Sequence, residues 1–174
     1  MSSLNYEIRW VAEEDADALG NIHSASWRAA YKGIIPDSVL DGFTPEKRAE
    51  RFRNAMRNKN EETSIILVNS MPAGFITLGK CRDEDAGTGW GEIWGIYMHP
   101  DYWHSGIGSL LFNWGLEELG ERGFDTAALW VLEGNSRARK FYEKHGFEKE
   151  GTSKIIQLDK ELREIRYILY NINN

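Results

Sequence analysis

The stretch Glu92-Ile93-Trp94-Gly95-Ile96-Tyr97-Met98, followed by Trp103-His104-Ser105-Gly106-Ile107-Gly108-Ser109, decides how this chain is read. Its first half is an apolar run of the kind that forms a buried strand. Its second half is a glycine turn, after which Ile107, Leu110, Leu111 and Trp114 recur at helical spacing. Glycines directly ahead of a helix let a ligand approach the backbone with no Cβ in the way. The helix N-terminus adds unpaired N–H groups and the positive end of the helix dipole. Strand, glycine turn and helix in that order predict a cradle for a phosphate-bearing molecule.

Spacing sorts among such cradles. A P-loop needs Lys-Ser/Thr after its last glycine, to neutralise phosphate and hold Mg²⁺. Here Gly108 is followed by Ser109-Leu110. A dinucleotide fingerprint needs a third small residue after Gly-x-Gly-x-x, where this chain has Leu111. Farther on comes Asn135-Ser136-Arg137-Ala138-Arg139-Lys140-Phe141-Tyr142-Glu143-Lys144-His145-Gly146-Phe147.

The two segments together resemble the GCN5-related N-acetyltransferase (GNAT) family. Its cofactor motif reads Gln/Arg-x-x-Gly-x-Gly/Ala after the fourth strand. Its closing signature is Asn-x-x-Ala-x-x-x-Tyr-x-x-x-Gly-Phe, matched by Asn135, Ala138, Tyr142, Gly146 and Phe147. The resemblance is strongest over residues 60–150. It implies an α/β fold with a mixed, mostly antiparallel sheet, splayed between strands 4 and 5 and flanked by helices. It also implies acetyl-CoA as cosubstrate and transfer of its acetyl group to a primary amine by direct attack in a ternary complex.

Site residues carry over position by position. Trp103, His104, Ser105, Gly106, Ile107, Gly108 and Ser109 would surround the diphosphate, with Tyr97 and Met98 at the strand end. Trp103 departs from the pattern: it stands where the family usually has Gln or Arg, and offers only an indole N–H and a stacking face. Asn135 would reach the pantetheine arm or cap its helix, a role Asn fills readily. Arg137 and Lys140, at the helix end that disfavours cations, would face a cofactor phosphate or solvent.

Tyr142 matches the tyrosine whose hydroxyl points at the cofactor sulfur, which makes it the candidate general acid. On the same helix Ala138, Phe141 and His145 share its stripe, so core packing is the alternative. Glu92 is the candidate base. An alkylammonium has a pKa of ~10.4, so a proton must leave before attack, and burial beside an apolar strand can raise a carboxylate toward that task. His23, Trp27 and Tyr31 recur every four residues and are expected to line the amine pocket, unless the stripe is simply core.

The remaining sequence sets bounds. At 174 residues the chain is expected to form one domain, 1–174. With 41% hydrophobic and 12% aromatic residues it can bury a sizeable core. The N-terminus lacks the basic and apolar regions of a signal peptide, and no apolar run is long enough to span a membrane. A single cysteine, Cys81, cannot form an internal disulfide, which favours a cytoplasmic location. It is read as a packing or surface residue. The net charge of −6 argues against nucleic acid as a partner and suits a small cationic amine, as does the acidic loop Asp83-Glu84-Asp85. No metal-ligand spacing occurs, and a homodimer stays open. Three other readings remain: a non-catalytic acyl-CoA-binding module, a structural or interaction protein that keeps the fold without the cofactor, and an acetyltransferase acting on protein amines.

The elements expected along the chain are strands over 6–11, 64–68, 73–80, 92–98, 127–132, 147–150, 154–158 and 162–170. Helices are expected from the acids at 13–15 to Tyr31, over 36–40, from Pro45 to about Asn58, over 106–122, and from Asn135 to Gly146.

Overall fold

A computed structural model describes residues 4–174. The strands are β1 (Tyr6–Trp10), β2 (Glu62–Val68), β3 (Met71–Lys80), β4 (Trp90–Met98), β5 (Thr126–Leu132), β6 (Glu148–Gln157) and β7 (Glu161–Tyr170). The helices are α1 (Ala16–Tyr31), α2 (Asp37–Gly42), α3 (Pro45–Asn58), α4 (Ile107–Glu121) and α5 (Ser136–Lys144). All seven strands join one sheet in the order β1-β2-β3-β4-β5-β7-β6. Only β4 and β5 run parallel. The fold class is the one expected. None of the helices among the described residues is long and apolar enough to cross a membrane.

Side-chain alternation assigns the faces. On β2 and β3, Ile65 and Phe75 pack with Leu19 and Ile22 of α1 and Phe52 of α3. Their neighbours Ile66 and Ile76 point the other way, into a cluster with Leu111 and Phe112 of α4 and Tyr142 of α5. A period of two on the strands thus serves two helical layers. Helix α4 sits close to the sheet because Gly115 has no side chain. A Cβ there would meet Ile76 Cδ1 at 2.5 Å.

Helix ends follow local chemistry. Thr44 caps α3 by accepting from the Lys47 N–H at 3.4 Å, with Pro45 in the first turn. Asn135 caps α5, its Oδ1 accepting from the Ala138 N–H at 3.2 Å. The acids at 13–15 do not begin α1. They form a 3₁₀ turn in which Asp15 bonds back to the Ala12 N–H and pairs with Arg9, and the helix starts at Ala16. The two strands expected over 147–158 are one, β6, with a register shift between Lys149 and Ser153 where Gly151 has φ +111°.

The feature that makes the site is a bulge. Between β3 and β4 the pairing passes from Thr77–Gly95 to Leu78–Ile93, leaving Trp94 as the extra residue. A bulge bends its strand. Strands β4 and β5 pair only at Trp90–Thr126, Gly91–Ala127 and Glu92–Ala128. Beyond Glu92 they diverge, and the cleft between them is the candidate site.

Candidate active site

Two cavities meet at this cleft. The larger, about 480 Å³, lies between the 98–109 turn and α5. Among its lining residues are Met98, Trp103, His104, Gly106, Gly108, Ser109, Arg137, Lys140 and Tyr142. Lys144 joins them, and no carboxylate does. The turn is built for close approach. Gly106 has φ +85° and His104 φ +59°, and a Cβ on Gly106 would meet nothing within 4 Å. Among the described residues, none accepts a hydrogen bond from the N–H groups of His104, Ser105, Gly106 or Gly108. Open space, orphan donors and three cations fit an elongated polyphosphate such as coenzyme A.

The departure at Trp103 has a structural role. Its indole N–H donates to the Met98 carbonyl at 2.9 Å, which pins the ring. The Arg137 guanidinium lies over that ring, 3.6 Å from its centre. Arg137 has no carboxylate partner among the described residues, and burial lowers its pKa.

The second cavity, about 200 Å³, opens on the other side of the splay. Trp27 and Tyr31 of α1 wall it, with Glu92, Trp94 and Tyr97 of β4, Trp130 of β5, and Lys154 and Glu164 of the β6–β7 hairpin. Ser26, Ile96, Arg137, Ala138 and Tyr142 border both cavities. The Tyr142 ring is 9% exposed, and burial raises its pKa, with the nearby Tyr97 adding and Arg137 opposing. The phenol therefore stays protonated across the physiological range.

Several expected site residues sit differently. His23 reaches neither cavity. It is enclosed by Phe43, Phe52, Phe75 and Tyr97, and its two ring nitrogens are buried without a hydrogen-bond partner. Burial lowers its pKa to about 3, with Arg48 and Arg51 adding, so the ring is neutral. Tyr97 faces the second cavity, not the turn. The Ser105 hydroxyl turns away to donate to the Tyr102 carbonyl at 2.5 Å, and the Ile107 side chain is core. Asn135 acts as the cap and also borders the second cavity.

Glu92 is 1% exposed but not free. Its Oε2 accepts from the Arg82 backbone N–H at 2.9 Å and Nε at 3.2 Å, and its Oε1 from the Arg82 guanidinium at 2.7 Å. The acidic loop is also engaged. Asp83 and Asp85 pair with the buried Arg166, which Glu150 also contacts. They do not wait for an amine. Cys81 is buried, and burial pushes its thiol up to about 11. The residues that sequence reasoning missed, Trp94, Trp130, Lys154 and Glu164, come to the cavity through the bulge and the hairpin.

The split sheet thus carries one cavity against the glycine turn and a second, aromatic-walled cavity across the gap. The model described as the acetyltransferase (GNAT) family matches residues 16–147, and the chain belongs to that family. It is 27% identical over 154 residues to a spermidine N(1)-acetyltransferase of Thermoplasma acidophilum, covering 86% of this chain and 92% of that protein. Among solved structures, it is similar to the PaiA N-acetyltransferase of Thermoplasma acidophilum in complex with coenzyme A. The TM-score is 0.77 at 24% identity, over 95% of this chain and 99% of that one. The ribosomal-protein-S18-alanine N-acetyltransferase of Escherichia coli shares the fold with a TM-score of 0.67 at 19% identity, over 96% and 94% of the two chains.

Proposed function

We propose that this N-acetyltransferase moves the acetyl group of acetyl-CoA to the primary amine of a small basic molecule, by direct attack in a ternary complex. The observation that carries this reading is that Tyr142 and Arg137 border both cavities, so donor and acceptor can meet without a covalent enzyme intermediate. The relative named for spermidine acetylation supports the amine class.

The turn from His104 to Ser109 holds the diphosphate through its backbone donors, with Arg137, Lys140 and Lys144 supplying positive charge. The donor contributes a thioester. Attack by the neutral amine forms the C–N bond and breaks the C–S bond. The Tyr142 hydroxyl, free of hydrogen bonds to the described residues, gives its proton to the departing sulfur and is restored by the proton the nitrogen loses. Aromatic walls at Trp27, Tyr31 and Trp94 suit an alkylammonium before that loss.

Glu92 acts as an orienting acceptor. A carboxylate has about four lone-pair sites. Arg82 takes three, so one on Oε1 remains for the amine.

The test is release of free thiol from acetyl-CoA over a panel of amines. Thiol release with small alkylamines supports the reading. Binding of acetyl-CoA with no thiol release for any small amine overturns it.

A further inference from the structure

Within the second cavity the protein already displays a bound alkylammonium, its own. The Lys154 Nζ lies 4.1 Å from the centre of the Trp130 ring and 3.5 Å from a Glu164 carboxylate oxygen. Lys154 and Glu164 are cross-strand partners on the β6–β7 hairpin, and all three residues line the cavity. An aromatic face plus a carboxylate is the chemistry that recognises an ammonium group. Lys154 is a weak occupant. Its side chain is 47% exposed on the edge strand β6, so it can leave for solvent. Glu164 is held inward, at 23% exposure, and lines the same cavity as Tyr31 and Tyr97. Tyr142 borders both cavities, whereas Glu164 lines only the second. Glu164, Tyr31, Tyr97 and Tyr142 thus share one cavity, and of these four only Tyr142 also reaches the donor cavity.

We infer that Trp130 and Glu164 form a second ammonium subsite, which Lys154 vacates when a di- or polyamine binds with its other amine at Tyr142. The inference rests on the small-amine reading above and narrows it to acceptors with two or more cationic nitrogens a few methylenes apart. Glu164 supplies the counter-charge and Trp130 the face. Lys154 is an intramolecular competitor that keeps the subsite satisfied until the ligand arrives.

The experiment compares 1,4-diaminobutane with n-butylamine, which has the same reactive end and no second nitrogen. Wild-type enzyme is expected to prefer the diamine in kcat/KM. Glu164→Gln should lower the diamine-to-monoamine ratio by roughly tenfold, the loss of one charge-assisted contact. Lys154→Met should raise the same ratio, because the tethered competitor is gone. Calorimetry of 1,4-diaminobutane on the enzyme without acetyl-CoA reads the subsite independently of turnover. There, affinity should fall in Glu164→Gln and rise in Lys154→Met. Equal ratios in all three proteins, or diamine binding indifferent to both substitutions, overturn the subsite while leaving the transferase reading in place. Absence of turnover with either amine overturns the small-amine reading, and calorimetry still decides the subsite.

Discussion

The Arg137 guanidinium stacks on Trp103 across the mouth of the donor cavity, 3.6 Å from the ring centre. The two residues come from opposite lips of the splay, the α5 helix and the turn after β4. The indole replaces no charge by itself. It holds in place a cation that no carboxylate of the described residues neutralises. Trp103→Leu should therefore raise the KM for acetyl-CoA by about 3- to 30-fold, the worth of a cation–π contact of ~0.5–2 kcal/mol. Steady-state kinetics at saturating amine reads it, and an unchanged KM would remove Trp103 from the cradle.

Gly106 sits in the left-handed region over open space. Gly106→Val faces two costs. A β-branched residue at positive φ loses about 1–2 kcal/mol of stability, and its methyls enter the space the diphosphate needs. Coenzyme A binding should collapse even in the folded fraction. Calorimetry that finds wild-type affinity in a folded variant would show that the diphosphate lies elsewhere.

Tyr142→Phe keeps the ring contacts with Phe112 and Phe147 and deletes only the hydroxyl. Turnover should fall by ~10²–10⁴, as for loss of a general acid. Coenzyme A affinity should persist. Turnover within a factor of two of wild type would reduce Tyr142 to a packing residue.

Arg82 donates to both oxygens of Glu92, the arrangement behind the orienting role proposed for it. Glu92→Gln should lower kcat/KM for the amine by roughly tenfold, in line with loss of a charge-assisted contact. The rise of rate with pH should remain, because it reports the amine's own ionisation near ~10.4. A flattened alkaline limb in the variant would instead make Glu92 the base.

His23 makes stability depend on acid. Its folded pKa is about 3 against an ordinary 6.5, lowered first by burial. Between those values the unfolded chain takes up a proton that the folded one refuses. The stabilisation from a neutral His23 is complete above pH 6.5 and drains away as pH falls toward 3. His23→Leu removes the titration and two unpartnered nitrogens. Its Tm should hold up better than wild type between pH 6 and 4. Parallel Tm profiles for the two proteins would show that other groups set the acid limb.

The parts of the site that were legible in the sequence are local. The turn at 103–109 and the α5 signature each span a few residues, and helix and glycine chemistry act at that range. The aromatic stripe of α1 was legible in spacing but not in direction. Four residues exceed one helical turn by about 40°, so the stripe rotates as it climbs. His23 ends buried against Phe52 and Phe75 while Trp27 and Tyr31 reach the cavity. What escaped was long-range. Arg166 captures Asp83 from 83 positions away in the chain, and no local pattern announces that the acidic loop is spoken for. The Trp94 bulge and the Trp130–Glu164–Lys154 arrangement likewise depend on strand register, which one-residue slips would reassign.

The bulge at Trp94 leaves the protein with a hydrogen-bonding debt in its own middle. Past Glu92, the β5-facing peptide groups of residues 93–98 find no partner strand among the described residues, though the Trp103 indole reaches the Met98 carbonyl. A sheet normally shows such groups only at its outer edges, where another chain can add on. Here the open edge is interior and faces the donor cavity. A ligand with amide groups along an extended arm, as coenzyme A has, can act as a short extra strand and close the seam. Amide hydrogens of β4 should then exchange more slowly once coenzyme A binds, so that the substrate finishes the sheet that the chain leaves incomplete.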